Sequence, residues 1–190
     1  MRELALHILD LAENAIAAGA KTIQINVTED LARDRLRIQV IDDGSGMDAE
    51  TAARVIDPFY TSRTTRKVGL GIPLLEEAAE ACNGELQIDS KPGKGTTVNV
   101  EFQRSHIDRM PLGDLPETIT TLVISAPEIH WIFRYQVDGN EFVFDDEPIK
   151  NELGDIPLSE PGVLAYIRSV LKEGVAEIQP DPSENVLLKN

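Results

Sequence analysis

Four stretches carry residues whose types and spacing suit handling a phosphate-bearing ligand. In the first, Glu3, His7, Asp10 and Asn14 follow one another at intervals of 4, 3 and 4 residues. On a helix that spacing stacks them along one side. Such a stripe is either a solvated face or, at Asp10 and Asn14, a row of oxygen donors turned to a ligand. In the second, Asp42-Asp43-Gly44-Ser45-Gly46-Met47 ends an apolar alternation in two carboxylates and two glycines. This is either a plain strand-to-helix turn with Asp48 as N-cap or a place where a carboxylate accepts from an exocyclic amine, as selection of adenine requires. The third, DPFYTSRTTRKVGLG over Asp57–Gly71, has no acid between Asp57 and Glu76, yet it holds Arg63, Arg66 and Lys67. It reads as a mobile cationic lid over phosphates. Gly69 and Gly71 open onto an apolar helix whose free amides and dipole favour an anion. The fourth is the tight turn Lys91-Pro92-Gly93-Lys94-Gly95, followed by Thr96.

The elements that would position these residues follow from periodicity. Leu4, Ile8, Leu11 and Ala15 make a helix of residues 2–18, ended by Gly19. Strands are expected over 21–28 and 36–41, a short helix over 48–56, and a helix over 70–82 with Pro73 in its first turn. Two more strands, 85–90 and 96–102, flank the Gly-rich hairpin. The order helix–strand–strand–helix–lid–helix–strand–strand is α+β, a mixed sheet with helices on one face.

Bulk properties narrow the partners. The chain has 190 residues, 42% of them hydrophobic, and a net charge of −15. That charge argues against a broad nucleic-acid surface but not against one small anion in a pocket. There is no run of ~18 apolar residues and no charged-then-apolar leader, so a cytoplasmic protein without membrane partners is expected. The single cysteine, Cys82, precludes an internal disulfide and reads as a packed small residue.

Together and in this order, residues 1–103 resemble the GHKL ATPase superfamily of gyrase-type topoisomerases, large heat-shock chaperones, histidine kinases and MutL-type repair proteins. The matching motifs are HILDLAENAIAAGA (7–20), DDGSGM (42–47), DPFYTSRTTRKVGLGI (57–72) and GKGTTVNV (93–100). The third is closest to the histidine-kinase branch. The resemblance implies a Bergerat-type two-layer α/β sandwich that binds ATP and Mg²⁺. It would give Asn14 the metal, Asp42 the adenine amino group, and Gly44, Gly46 and Met47 the base. Phe59, Thr61, Gly69, Leu70 and Gly71 would surround the nucleotide, and Thr96 would support its adenine end. Arg63, Arg66 or Lys67 would neutralise the terminal phosphate. Asp10 stands where hydrolysing members carry a Glu base, one methylene longer, so it is expected to be a weak general base. Lys67 replaces the usual first Gly of its motif. His7 reads as a pocket-wall or surface residue rather than a phosphoacceptor.

After Phe102 the pattern changes. Residues 104–118 read as a linker, 119–175 as a small β-meander plus helix for partner docking or dimerisation, and 176–190 as a flexible tail. Within the small unit, strands are expected over 119–124, 129–137 and 141–144, then a loop to Leu158 and a helix over 161–172. Trp131, Phe133 and Tyr135 alternate along one strand, as core or as an interface patch. Residues 104–190 carry −9, against −6 for 1–103.

The expected function is a stand-alone kinase module that passes the γ-phosphate of Mg-ATP to a His, or a Ser, of a separate signalling partner. The chain starts directly at the first motif, with no acceptor His upstream. The alternatives are an ATP-gated binding regulator with little turnover and a slow ATPase, and a homodimer is a further expectation.

Overall fold

A computed structural model describes residues 3–56 and 71–179. Its first half follows the periodicity. Helix α1 (Leu4–Ala17) leads into strands β1 (Thr22–Asp30) and β2 (Arg35–Asp42), helices α2 (Ala49–Val55) and α3 (Gly71–Glu80), and strands β3 (Glu85–Lys91) and β4 (Gly95–Gln103). Then come α4 (Leu115–Ser125), β5 (His130–Val137), β6 (Asn140–Asp145), α5 (Glu147–Leu153) and α6 (Pro161–Ile178). The strands form one six-stranded sheet in the order β3-β4-β2-β1-β5-β6. All neighbours are antiparallel except β1 and β5, so the sheet is mixed.

Strand alternation decides which face is buried. The register lines up Ile88, Val98, Val40, Ile25, Phe133 and Phe144 in one row across all six strands. Helices cover that apolar face, where Ile25, Phe133 and Phe144 are buried. The opposite face carries Gln87, Asn99, Gln39, Asn26 and Arg134 in the adjacent row. There Asn26 donates to Gln39 at 2.7 Å and Gln39 to Asn99 at 2.7 Å, so the amides satisfy one another on a helix-free surface.

The C-terminal half departs from expectation in three ways. First, residues 119–124 are helix, not strand. Their β-branched composition suggests a strand, but Asp114 caps the segment by accepting from the Glu117 amide at 2.9 Å. Leu115, Ile119, Leu122 and Val123 then share one buried face. Thr118, Thr120 and Thr121 each return their hydroxyl to a carbonyl of the preceding turn. Second, the loop expected before Leu158 contains α5, and α6 runs six residues beyond the expected helix end at 172. Third, the meander does not form a sheet of its own. β5 pairs in register with β1 from Thr22↔His130 to Glu29↔Val137, and its aromatics Trp131, Phe133 and Tyr135 are core.

Residues 104–118 are likewise fastened rather than free. Arg104 donates to Glu29 at 2.5 Å and Ser105 binds Asp34 through amide and hydroxyl. The carbonyls of Pro111 and Leu112 accept from the amides of Leu4 and Ala5 at 2.9 and 2.8 Å. Helix α1 has no side-chain cap at Glu3, so the connection satisfies donors that a helix start leaves open.

Candidate functional site

Helix α1 supplies the first wall. Leu4, Ile8, Leu11 and Ala15 face the core, and Asp10 and Asn14 lie half-buried at the margin of that stripe. They are therefore not part of a solvated face. His7 is 3% exposed, so of the two positions expected for it the surface one is corrected: the ring is buried.

Strand β2 ends in the second wall, and its two carboxylates have separate fates. Asp43 accepts from the amides of Lys21 and Thr22 at 2.6 and 2.9 Å, which ties the turn to the start of β1. Burial works against its charge, but the Thr22 and Lys21 amides hold its pKa below the ordinary carboxylate value. Asp42 accepts from the Gly44 amide at 2.8 Å and faces Thr96 across the β2–β4 pair. Burial pushes its pKa up, the Gly44 and Thr96 amides oppose that, and the Asp43 charge adds to the rise. The chain thus uses Asp43 as a structural clasp and leaves Asp42 at the cavity wall.

The turn that follows needs glycine at position 46. Its φ is 64°, and a Cβ there would stand 2.0 Å from the Lys91 carbonyl oxygen. Ser45 donates its amide to the Ala18 carbonyl at 2.9 Å, closing the turn onto the end of α1. Ser90 links the far side by accepting from the Met47 amide at 2.8 Å and contacting the Thr96 hydroxyl at 2.9 Å.

Helix α3 starts against α1. A Cβ on Gly71 would come 1.7 Å from Asp10 Oδ2, so only glycine allows this approach. Among the described residues, Asp10 Oδ2 and His7 Nδ1 are both buried without a hydrogen-bond partner. Unpaired buried polar atoms are costly and rare, and they cluster where a ligand or water is to be met.

Between these walls lies a cavity of about 170 Å³. The candidate residues Asn14, Asp42, Gly46, Met47 and Thr96 line it, together with Ser45. Gly44 adjoins it through Asp42, and Gly71 directly precedes the lining Ile72, whereas Asp10 packs against Gly71 and is not among the lining residues. Apolar walls come from Leu11, Ala15, Ala18, Val40, Val55, Ile72 and Val98, which the sequence reading did not single out. Leu11 and Ala15 were visible as the stripe beside Asp10 and Asn14, and Ile72 as the residue after Gly71. Val40 and Val98 fall within the strands expected over 36–41 and 96–102. An apolar slot with a few convergent polar groups suits a flat heteroaromatic ring. Phe59, Thr61, Arg63, Arg66, Lys67, Gly69 and Leu70 lie outside the described residues.

Comparison with known proteins agrees with this geometry. A family profile described as "Histidine kinase-, DNA gyrase B-, and HSP90-like ATPase" matches residues 2–106. The sensor protein kinase FleS of Pseudomonas aeruginosa is 43% identical over 89 residues, which is 47% of this chain and 22% of that protein. The non-motile and phage-resistance protein of Caulobacter vibrioides is 34% identical over 111 residues, 54% of this chain and 13% of its own. The chain thus spans less than a quarter of either relative. The N-terminal domain of a DNA repair protein superposes with a TM-score of 0.51 at 17% identity, covering 75% of this chain and 52% of that one. That likeness is one of fold.

Proposed function

The chain belongs to the histidine kinase-, DNA gyrase B- and HSP90-like ATPase family, and on that footing we propose that it binds Mg-ATP in the α1–β2–β4 cavity and passes the γ-phosphate in trans to a His, or a Ser, of a signalling partner. The observation that carries the nucleotide reading is the separation of Asp42 from Asp43. Asp43 is consumed by two backbone amides, whereas Asp42 stands at the wall of an apolar slot. A carboxylate in that position accepts from an exocyclic amine and rejects a ring lacking one. Thr96, paired opposite Asp42, completes the base end; Gly44, Gly46 and Met47 let the backbone pass close to it.

The residues present fit a magnesium ion at the phosphate end. Asn14 offers an amide oxygen at the cavity and Asp10 an unpartnered carboxylate oxygen one helical turn away. Hard oxygen donors of this kind, together with substrate phosphates, suit Mg²⁺. When bound, the ion would neutralise charge on the phosphates. Asn14 would hold it, the first turn of α3 at Gly71 would offer backbone amides to the phosphates, and Arg63, Arg66 or Lys67 would supply cations. Catalysis of this type is positioning and charge stabilisation. An acceptor on another protein and a cytoplasmic setting belong to the same reading; no described helix is long and apolar enough to cross a membrane.

A slow ATPase is the second reading, and the unpartnered Asp10 Oδ2 favours it as a short general base. A third, an ATP-gated regulator with little turnover, differs in outcome only. Incubation with γ-labelled ATP and Mg²⁺, alone and with candidate acceptor proteins, separates the three. Label on a partner supports the kinase and free phosphate abolished by Asp10→Asn supports the ATPase. Bound but unchanged ATP supports the regulator. No binding of ATP at all would sink the proposal.

A further inference from the structure

The groove between α5 and α6 combines a shape and a charge that the nucleotide cavity does not use. It has a volume of about 530 Å³ and shares no lining residue with that cavity. Ile149 and Leu153, four residues apart on α5, line it together with Val163 and Tyr166, three apart on α6. These spacings put each pair on one helix face. Ile149, Leu153 and Val163 are half-buried and Tyr166 is 57% exposed. The described residues thus leave an apolar strip open to solvent.

The rim of the strip carries one sign of charge. Glu152 and Glu160 line the groove, and no Lys or Arg does so among the described residues. Glu160 is held in place by capping α6, where its Oε2 accepts from the amides of Gly162 and Val163 at 2.8 and 3.0 Å. Glu152 is exposed. Cations on the same two helices are directed elsewhere. Lys150, the one cation of α5, donates to the Ile129 carbonyl at 2.5 Å and lies 2.7 Å from Asp146. Arg168 of α6 donates to Glu117 of α4 at 2.8 Å, and Lys172 lies with Leu112 and Val175 on another surface.

An apolar strip with an acidic rim selects its occupant by charge. Anionic lipid headgroups and nucleic-acid phosphates are repelled by it. A second copy seated face to face on a two-fold axis would bring the same acids together, in a chain whose net charge is −15. A groove between two helices takes a third helix by its apolar face. We propose that the α5–α6 groove docks an amphipathic helical segment of a partner protein, with apolar anchors on Ile149, Leu153, Val163 and Tyr166 and Lys or Arg beside Glu152 and Glu160. The inference stands apart from the nucleotide reading, since it uses none of that site's residues.

The test titrates the full chain, by calorimetry, with a helical peptide of Leu and Lys about two heptads long and with its counterpart carrying Glu in place of Lys. The Lys peptide is expected to bind saturably, and more weakly as salt rises; the Glu peptide is expected not to bind. Tyr166→Ala and Glu152→Lys, both at exposed positions, should each weaken the Lys peptide about tenfold with the melting temperature unchanged. Glu177→Lys makes the same charge change at an exposed position farther along α6 and should keep most of the affinity. The proposal is overturned by an absence of saturable binding or by equal binding of the two peptides. Equal losses in Glu152→Lys and Glu177→Lys would overturn it too, because net charge alone would then attract the peptide. So would a wild-type dimer that Tyr166→Ala dissociates, which would give the groove to a second copy.

Discussion

Tyr135 on β5 donates its hydroxyl to Glu29 on β1 at 2.6 Å, joining residues 106 positions apart. Both are buried, and the second Glu29 oxygen takes the Arg104 guanidinium at 2.5 Å. Burial first, then the bond to Glu29 and its charge, drives the Tyr135 pKa upward, so the phenol remains a donor throughout the working range. The triad sits where the first strand, the added strand and the connection between them converge. Tyr135→Phe removes one donor and leaves part of a buried carboxylate unsatisfied. A loss of about 1–3 kcal/mol is expected, read from the midpoint of urea unfolding at constant m. Arg104→Met, which leaves Glu29 without its buried counter-charge, should cost more, about 3–5 kcal/mol. A Tyr135→Phe variant as stable as wild type would show that water replaces the phenol.

The same pairing predicts the fate of a fragment. The family profile ends at residue 106, just past β4, yet here β1 has β5 paired from Thr22 to Glu29 and α1 begins on carbonyls of residues 111 and 112. A fragment of residues 1–106 would bare the β1 edge and the apolar residues that Trp131, Phe133 and Tyr135 now cover. Each buried aromatic or aliphatic side chain of this kind contributes about 1.5–3 kcal/mol. The full chain should melt in one transition. The fragment should bind hydrophobic dyes and show no cooperative melt, since an open edge also invites strand pairing between copies. A fragment melting within a few degrees of the full chain would mean that residues 107–179 form an accessory unit after all.

Asp42 and Asp43 are adjacent but should respond in opposite ways to substitution. Asp43→Ala removes the acceptor of two backbone amides, so stability should fall by about 1–2 kcal/mol, the scale of a lost cap. Asp42→Asn replaces a carboxylate that burial holds above its ordinary pKa. Its native form takes up a proton more readily than its unfolded form, so ionisation of Asp42 works against folding as pH rises through the native value. Asp42→Asn should therefore melt no lower than wild type at pH 7, yet bind ATP at least about tenfold more weakly, because an amide offers the adenine amine a poorer acceptor. Wild-type ATP affinity should itself decline as the pH falls through the raised Asp42 pKa. If Asp42→Asn binds ATP as tightly as wild type, Asp42 does not read the base.

How far the sequence disclosed this depends on the range of the forces involved. The order α1 to β4 was legible because its apolar periods are local and each turn carries its own glycine or cap. Asn14, Asp42, Gly46, Met47 and Thr96 were legible for the same reason: four short motifs each bring their own backbone. The choice between Asp42 and Asp43 was not, since it turns on the Lys21 and Thr22 amides some twenty residues earlier. Nor was the union of β5 with β1, because a parallel pair leaves no hairpin signature in sequence. Helix α4 is hidden in the sequence because Ile119-Thr120-Thr121-Leu122-Val123-Ile124 has β composition; the Asp114 cap and the buried 3.6-residue face outweigh it. His7 looked like one member of a polar stripe, and only the packing of α3 shows that it is enclosed.

Burial of His7 has a consequence for pH. Desolvation lowers its pKa below the ordinary 6.5, outweighing the Asp10 charge, which acts upward. In the unfolded chain the imidazole takes up its proton near pH 6.5; in the native protein it does so only at lower pH. Between these two values the unfolded state binds more protons, so stability must fall as the solution is acidified. Below the native value both states are protonated and this contribution levels off. His7→Gln removes the titration while keeping a polar side chain of similar size. The stability difference between wild type and His7→Gln should therefore be constant above pH 7 and shift against wild type from pH 6.5 downward. Urea unfolding at half-unit steps from pH 7.5 to 5 measures it. Parallel curves over that range would mean that water reaches the ring and that His7 titrates at its ordinary value.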